Sequence, residues 1–226
     1  MVKLIFCCRR RPELTPARYA ELLLEGHVPL ALRHHPTMRR YVVNVVEQVP
    51  AGFPAYDSVG ELSFDTLEDY EQRLYDSDEG RRAIGRDVAR FLAGADTYLT
   101  TEHVQRAPAP ATPRGARSPG IKMLCPLRRR PDMTHEAFVA HWLGTHVPLA
   151  LRHHPGMSRY VTSVVERRLG DTGEEWDGFA ALHFPSDEAW RTGLFDSPEG
   201  ERVVREDIAR FIGTTGPYRV AEYVQR

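Results

Sequence analysis

A stretch of ten residues occurs twice in this chain. His27-Val28-Pro29-Leu30-Ala31-Leu32-Arg33-His34-His35-Pro36 returns unchanged as His146-Val147-Pro148-Leu149-Ala150-Leu151-Arg152-His153-His154-Pro155. The likeness extends on both sides, from Arg9-Arg10-Arg11-Pro12 with Arg128-Arg129-Arg130-Pro131 to Val104-Gln105-Arg106 with Val224-Gln225-Arg226. The spacing is 119 residues at first (27 to 146) and 120 later (57 to 177), so one insertion separates the copies. It lies between Glu47 and Asp57 or between Glu166 and Asp177, in stretches that contain Gly or Pro and read as loops. Two copies are too few for a solenoid. The 226 residues are therefore two fused domains or one pseudo-symmetric domain.

The boundaries read as residues 1–106, a Pro/Ala-rich linker over 107–118 with no hydrophobic period, and residues 119–226. Each copy repeats one order of elements. In the first, residues 2–9 alternate as a strand, and Thr15 caps a helix with Pro16 at its first position. Tyr19, Leu22 and Leu23 give that helix an apolar face; Gly26 is expected to break or bend it and Pro29 to start a second piece. Residues 38–47 and 56–64 read as strands, 65–92 as helix with an interruption near Asp76–Gly80, and 98–104 as the last strand. In the second copy Thr134 is the cap, and Phe138 and Trp142 lie on the apolar face. The order β-α-β-β-α-β is the ferredoxin-like unit. The fold class is thus α+β, with two ferredoxin-like repeats expected to pack their bare sheet faces together around a cavity.

These elements, with His27-Val28-Pro29-Leu30, Arg40-Tyr41-Val42-Val43-Asn44, Glu61-Leu62-Ser63-Phe64 and Ser77-Asp78-Glu79-Gly80, resemble the EthD-type family of dimeric α+β barrels. The second copy carries the same resemblance through Thr134, His146-Val147-Pro148-Leu149, Arg159-Tyr160, Trp176-Asp177 and Ser197-Pro198-Glu199-Gly200. Ordinary members pair as homodimers, so the resemblance implies a pseudo-dimer within one chain, with further homodimerisation open. Relatives on this barrel include cofactor-free cyclases, decarboxylases, lactone isomerases and oxygenases of polyketide and aromatic metabolism. More distant relatives bind haem, and some EthD-type proteins are accessory proteins of oxidative degradation.

Composition narrows the partners. Thirty Lys and Arg against 31 Asp and Glu leave a formal charge of −1, which lacks the electrostatic footprint of a nucleic-acid binder. No apolar run reaches the length of a membrane span, and the N-terminus lacks a secretory pattern. Three cysteines, two of them adjacent, fit no disulfide framework, which reads as a cytoplasmic chain.

His27 and His146 follow the helix break among apolar neighbours, where a neutral imidazole can take or give a proton; bracing the bent helix is the competing role. The resemblance adds that the histidine of this motif is an active-site residue in related lactone isomerases. Tyr41 and Tyr160 begin the second strand and could hold a ligand oxygen or simply fill the core. On the third strand, alternation groups Asp57, Val59, Glu61 and Ser63, which become Asp177, Phe179, Ala181 and His183. That variable face is expected to line the cavity, with Glu61 and His183 dividing base and acid roles. Trp176, Phe179, Val59, Asp57 and Asp177 are the candidate substrate contacts, although a shared Asp at a strand start often braces a turn. One dominant pocket is expected beside His146, Tyr160 and His183, with Glu61 across the interface and a smaller pocket at His27 and Tyr41. His34-His35 and His153-His154 lack a ligand set for a metal. The function that follows is a cofactor-independent tailoring enzyme for a small aromatic or polyketide-like molecule, by cyclisation, dehydration, decarboxylation or oxygenation. The alternative is a non-catalytic accessory protein that holds such a ligand or haem.

Overall fold

A computed structural model of the chain describes residues 1–107, 112–171 and 173–226. The first copy runs β1 (Val2–Arg10), α1 (Pro16–Glu21), a π-helical turn (Leu22–His27), α2 (Val28–His34), β2 (Met38–Gln48), β3 (Ser58–Phe64), α3 (Leu67–Glu71), α4 (Asp78–Phe91) and β4 (Leu92–Arg106). The second runs β5 (Ile121–Arg129), α5 (His135–His141), a π-helical turn (Trp142–His146), α6 (Val147–His153), β6 (Arg159–Leu169), β7 (Gly178–Phe184), α7 (Asp187–Gly193), α8 (Pro198–Phe211), β8 (Ile212–Thr215) and β9 (Tyr218–Val224). The sequence places the helix caps correctly. Thr15 Oγ1 accepts from Arg18 N and Thr134 Oγ1 from Ala137 N, both at 3.2 Å. The last strand of the first copy starts six residues earlier than its pattern indicates. Its counterpart is split at Gly216-Pro217, where proline offers no N–H to the ladder.

The two sheets join at their edges. β4 pairs antiparallel with β6, and β2 with β9, so the strand order β7-β6-β4-β1-β3-β2-β9-β5 returns to β7 through β5. The result is a closed eight-strand antiparallel barrel with the helices on its outer face. Closure removes every sheet edge that an isolated copy would expose. Strand alternation then sorts the core into three parts. Ile5, Tyr98, Leu124, Val161, Phe179 and Val220 pack inside the barrel. Tyr19, Leu23, Tyr41, Phe64 and Phe91 pack between sheet and helices in the first copy, and Phe138, Trp142, Tyr160, Phe184 and Phe211 do so in the second. No helix of the described residues is long and apolar enough to cross a membrane.

Of the linker, residues 108–111 lie outside the described residues. The part that follows runs along β9: Gly115 N donates to Val224 O, Ser118 N donates to Glu222 O, and Arg117 reaches Glu47 of the first copy. Gly120, at φ +82°, delivers the chain into β5, and a Cβ there would sit 2.1 Å from the carbonyl oxygen of Phe184. Gly120→Ala should therefore lose more than the roughly 1–3 kcal/mol of a left-handed non-glycine residue alone, read as a lowered urea midpoint.

Candidate functional site

The repeated decapeptide begins where each first helix widens. The helix does not break at Gly26. It carries a π turn in which the Val28 N–H bonds back to Leu23 O, and Val147 N–H to Trp142 O. Pro29 and Pro148 explain this: each lacks an N–H and would crowd the carbonyl four residues earlier, and a wider turn relieves both problems. The π turn ends on His27 and His146 and turns them toward the helix packed alongside.

His27 lines a cavity of about 220 Å³ between the outer sheet face and the helices, with Tyr19, Tyr41, Ser58, Tyr70 and Phe91 among its walls. Its Nδ1 lies 3.1 Å from Asp87 Oδ2 and its ring 5.4 Å from that of Phe91. Asp87 is an acidic residue on the apolar face of α4, buried between Ile84 and Phe91. With Nδ1–H donated to this carboxylate, Nε2 is the ring nitrogen left for a ligand. Burial holds the His27 pKa below its ordinary value, against the opposing pull of Asp87, so the imidazole is neutral at pH 7. Tyr41 is buried, and its hydroxyl makes no hydrogen bond to any described residue. Burial also raises the phenol pKa, so Tyr41 keeps its proton. Tyr19, by contrast, is tied to Ser58 Oγ at 2.7 Å.

The second copy builds a related cavity of about 190 Å³ around His146, Trp142, Tyr160, Trp190 and Phe195. His146 Nδ1 lies 2.9 Å from Asp207 Oδ2. Trp142, at the position of Leu23, donates its indole N–H to Tyr160 Oη at 3.3 Å and packs where a Cβ on Gly178 would stand only 2.4 Å away. This corrects the expectation of one dominant second-copy pocket: the first-copy cavity is not the smaller one.

A larger correction concerns what lies together. His146 and Tyr160 belong to the helix-side layer of the second copy, whereas Glu61 and His183 point into the barrel. The strand period puts them on opposite faces of the sheet, so no single pocket combines them. Glu61 is held by Lys3 and Lys122, both at 2.6 Å, and by Asn44 Nδ2 at 2.9 Å. Lys3 also meets Glu102, and Lys122 meets Glu222 at 2.8 Å. Burial alone would raise the Glu61 pKa; the two ammonium groups instead hold it well below the carboxylate range. Burial and Lys122 push His183 down to about 3, so it is neutral. These charges clasp the two copies together.

The candidate substrate contacts are likewise inside or at the end of the barrel. Val59 and Phe179 are buried in its core, and Trp176 lies beside Tyr56 at its end, stacked on Phe53 at 6.1 Å. Asp57 accepts from Arg10 N, and Asp177 from Arg129 N, both at 2.8 Å, so each braces a strand end through backbone and guanidinium. His34 and His153 pair with Asp76 and Asp196, and His35 and His154 bond to carbonyls. No group of three or more His, Cys, Asp or Glu among the described residues is set to hold a metal.

Sequence reasoning missed the two helix aspartates. Their signal was present: Ile84, Asp87 and Phe91 share one face at spacings of three and four, as do Val204, Asp207 and Phe211. A carboxylate repeated in an apolar stripe needs a buried partner.

The EthD domain model matches residues 11–95 and 130–215, and the chain belongs to the EthD family. Among solved structures, an anthrone oxidase-like protein superposes with a TM-score of 0.65 at 13% identity, over 99% of this chain and 92% of that one. A mutant chlorite dismutase from Candidatus Nitrospira defluvii, in complex with cyanide, gives 0.52 at 12% identity, over 98% and 90%. An ethyl tert-butyl ether D (EthD) family protein from Bacillus halodurans C-125 is 28% identical over 46% of this chain and 99% of its own, with a TM-score of 0.37. Among curated protein sequences none matches. Haem, which the family resemblance raises as the alternative, does not fit the two helix-side cavities. At about 220 and 190 Å³ they fall below the roughly 300–1,000 Å³ of pockets for drug-sized ligands, and neither is lined by Arg or Lys for the propionates.

Proposed function

We infer that this chain is an enzyme that moves a proton on a small, mostly apolar aromatic or polyketide-like molecule, and that it does so without a cofactor. The observation that carries this reading is the pairing of a carboxylate-held imidazole with the unpartnered hydroxyl of a buried tyrosine in one apolar cavity. His27 Nε2 takes a proton from an acidic C–H or phenolic O–H of the ligand. Asp87 steadies the imidazolium that results, and the Tyr41 O–H donates to the ligand oxygen that gains negative charge. The proton then returns to a different ligand atom or to water. Enolisation of this kind is the first step of aldol-type cyclisation, of dehydration of a β-hydroxy ketone and of reaction with dioxygen, and decarboxylation arrives at the same enolate by loss of CO₂; the sequel is left to the ligand. The balance of the assignment thus moves from the second copy to the first.

An apolar cavity of about 150 Å³ holds a benzene, so about 220 Å³ suits one or two fused rings. The relative named anthrone oxidase-like points to ring ketones with an activated CH₂ group. 2-Tetralone is therefore the probe. The protein should accelerate deuterium exchange at its activated CH₂ in D₂O, followed by proton NMR, and His27→Ala should lose that acceleration. Binding of 2-tetralone with no exchange by the native protein would leave a ligand-holding accessory protein. A Soret band on the purified protein would replace this reading with a haem protein.

A further inference from the structure

The two copies hold the same imidazole on different carboxylate arrangements. In the first, the free oxygen of Asp87 faces Arg90 at 3.5 Å, an exposed guanidinium charged at every working pH. In the second, Asp207 gives one oxygen to each of two histidines: Oδ2 to His146 Nδ1 at 2.9 Å and Oδ1 to His141 Nε2 at 2.8 Å. The Phe211 ring lies 5.1 Å from the His146 ring and 4.8 Å from that of His141. His141 stands where the first copy has Leu22, so this second histidine is a difference between copies. His146 lines the cavity, while the His141 side chain is 23% exposed and meets water.

We propose that the second cavity is a site in its own right, with His141 as a positioning residue that sets the basicity of His146 through Asp207. The proposal rests on the reading of the carboxylate-held histidine as a base. With His141 neutral, the whole Asp207 charge is available to stabilise a proton on His146. With His141 protonated, the carboxylate is already paired, and a second cation beside it is disfavoured. The other titratable groups around His146 are His154 from the end of α6, Tyr160 from β6 and Cys125 from β5. Of these, His154 is 5% exposed and bonded to Leu194 O, and Tyr160 is 1% exposed. Burial pushes the Cys125 thiol up to about 12. Unlike these three, His141 is open to solvent and shares the Asp207 carboxylate directly. The second site should therefore weaken as His141 takes up a proton, whereas the first, paired with Arg90, has no such partner. Its ligand class is a planar one-ring molecule with an oxygen acceptor, smaller than the first cavity takes. The Tyr160 oxygen already accepts from Trp142, which leaves its proton to donate, and Trp142, Trp190 and Phe195 narrow the space.

Nitrogen-15 NMR of the histidine rings in the full chain tests this without any ligand, so its outcome is separate from 2-tetralone exchange at His27. In the native protein His146 should carry its proton on Nδ1, the nitrogen that faces Asp207. His141→Leu, which copies the first half, should leave a single His146 titration step moved up by roughly one pH unit. His141→Lys, with a lasting charge, should move the step down by a similar amount. A merely packed His141 would give the same His146 curve in both variants. An unchanged midpoint in the two variants, with the fold intact by circular dichroism, would overturn the proposal.

Discussion

Glu61→Ala should destabilise the protein by about 3–5 kcal/mol, the usual consequence of removing one member of a buried ion pair. The reason is local. Glu61 bridges Lys3 of the first copy and Lys122 of the second, and the equivalent position in the second copy is Ala181, so no symmetry mate supplies the missing charge. Glu102 and Glu222 remain, but Lys3, Lys122, Arg40 and Arg159 then face two carboxylates inside one barrel end. Urea unfolding measures the loss. A single-variant loss under about 1 kcal/mol would mean that water reaches the clasp and screens it.

The same clasp predicts acid sensitivity. The native pKa of Glu61 is depressed, so its contribution is complete above the unfolded value of about 4.3 and is lost as pH falls through the native one. His183 acts in the same direction from a higher pH. It is held neutral down to about 3, whereas in the unfolded chain it takes up a proton at about 6.5. Stability should therefore decline from about pH 6.5 downward and fall more steeply below about 4.3.

How much of this was legible in the sequence differs by layer. The order of elements was legible because the repeat states it twice, and because Thr15, Thr134, Pro16 and the strand alternation are local signals. Sorting the third strand by face was also legible: Val59 and Glu61 do point one way and Ser58 and Gly60 the other. What this face meets was not. Alternation says that two residues share a face; it does not say whether that face borders a ligand or a packed interior. Glu61 read as a base because its two lysines sit on other strands, one of them in the other copy. Tyr56 shows another limit: alternation puts it on the helix side, yet it precedes β3 and turns into the barrel end beside Asp96, to which its hydroxyl donates at 2.8 Å. The histidines of the repeat were found, but their side of the sheet depends on a π turn that no periodicity announces.

Removing His27 should have the largest effect on chemistry. For a positioned base the expected loss is about 10²- to 10⁴-fold in the exchange rate of 2-tetralone. His27→Ala should show it with little change in binding, since the walls of the cavity are apolar and remain in place. Asp87→Asn should lose less. It keeps a hydrogen-bond partner for Nδ1 but withdraws the charge that stabilises the imidazolium, and the Asp87 carboxylate is 3.1 Å away. Tyr41→Phe should separate the two roles. It leaves the imidazole pair untouched and removes the hydroxyl proposed to donate to the ligand oxygen, so the rate falls while the pH profile stays. That profile has a stated direction: the native His27 pKa lies below 6.5, so the rate should be flat from about pH 7 upward and fall in acid as the imidazole takes up its proton. His146→Ala should leave this activity largely intact, because the barrel separates the two cavities and Trp142, Trp190 and Phe195 narrow the second against a two-ring probe. Equal losses in His27→Ala and His146→Ala would mean that both cavities turn over the same probe, and a loss confined to His146→Ala would return the chemistry to the second copy.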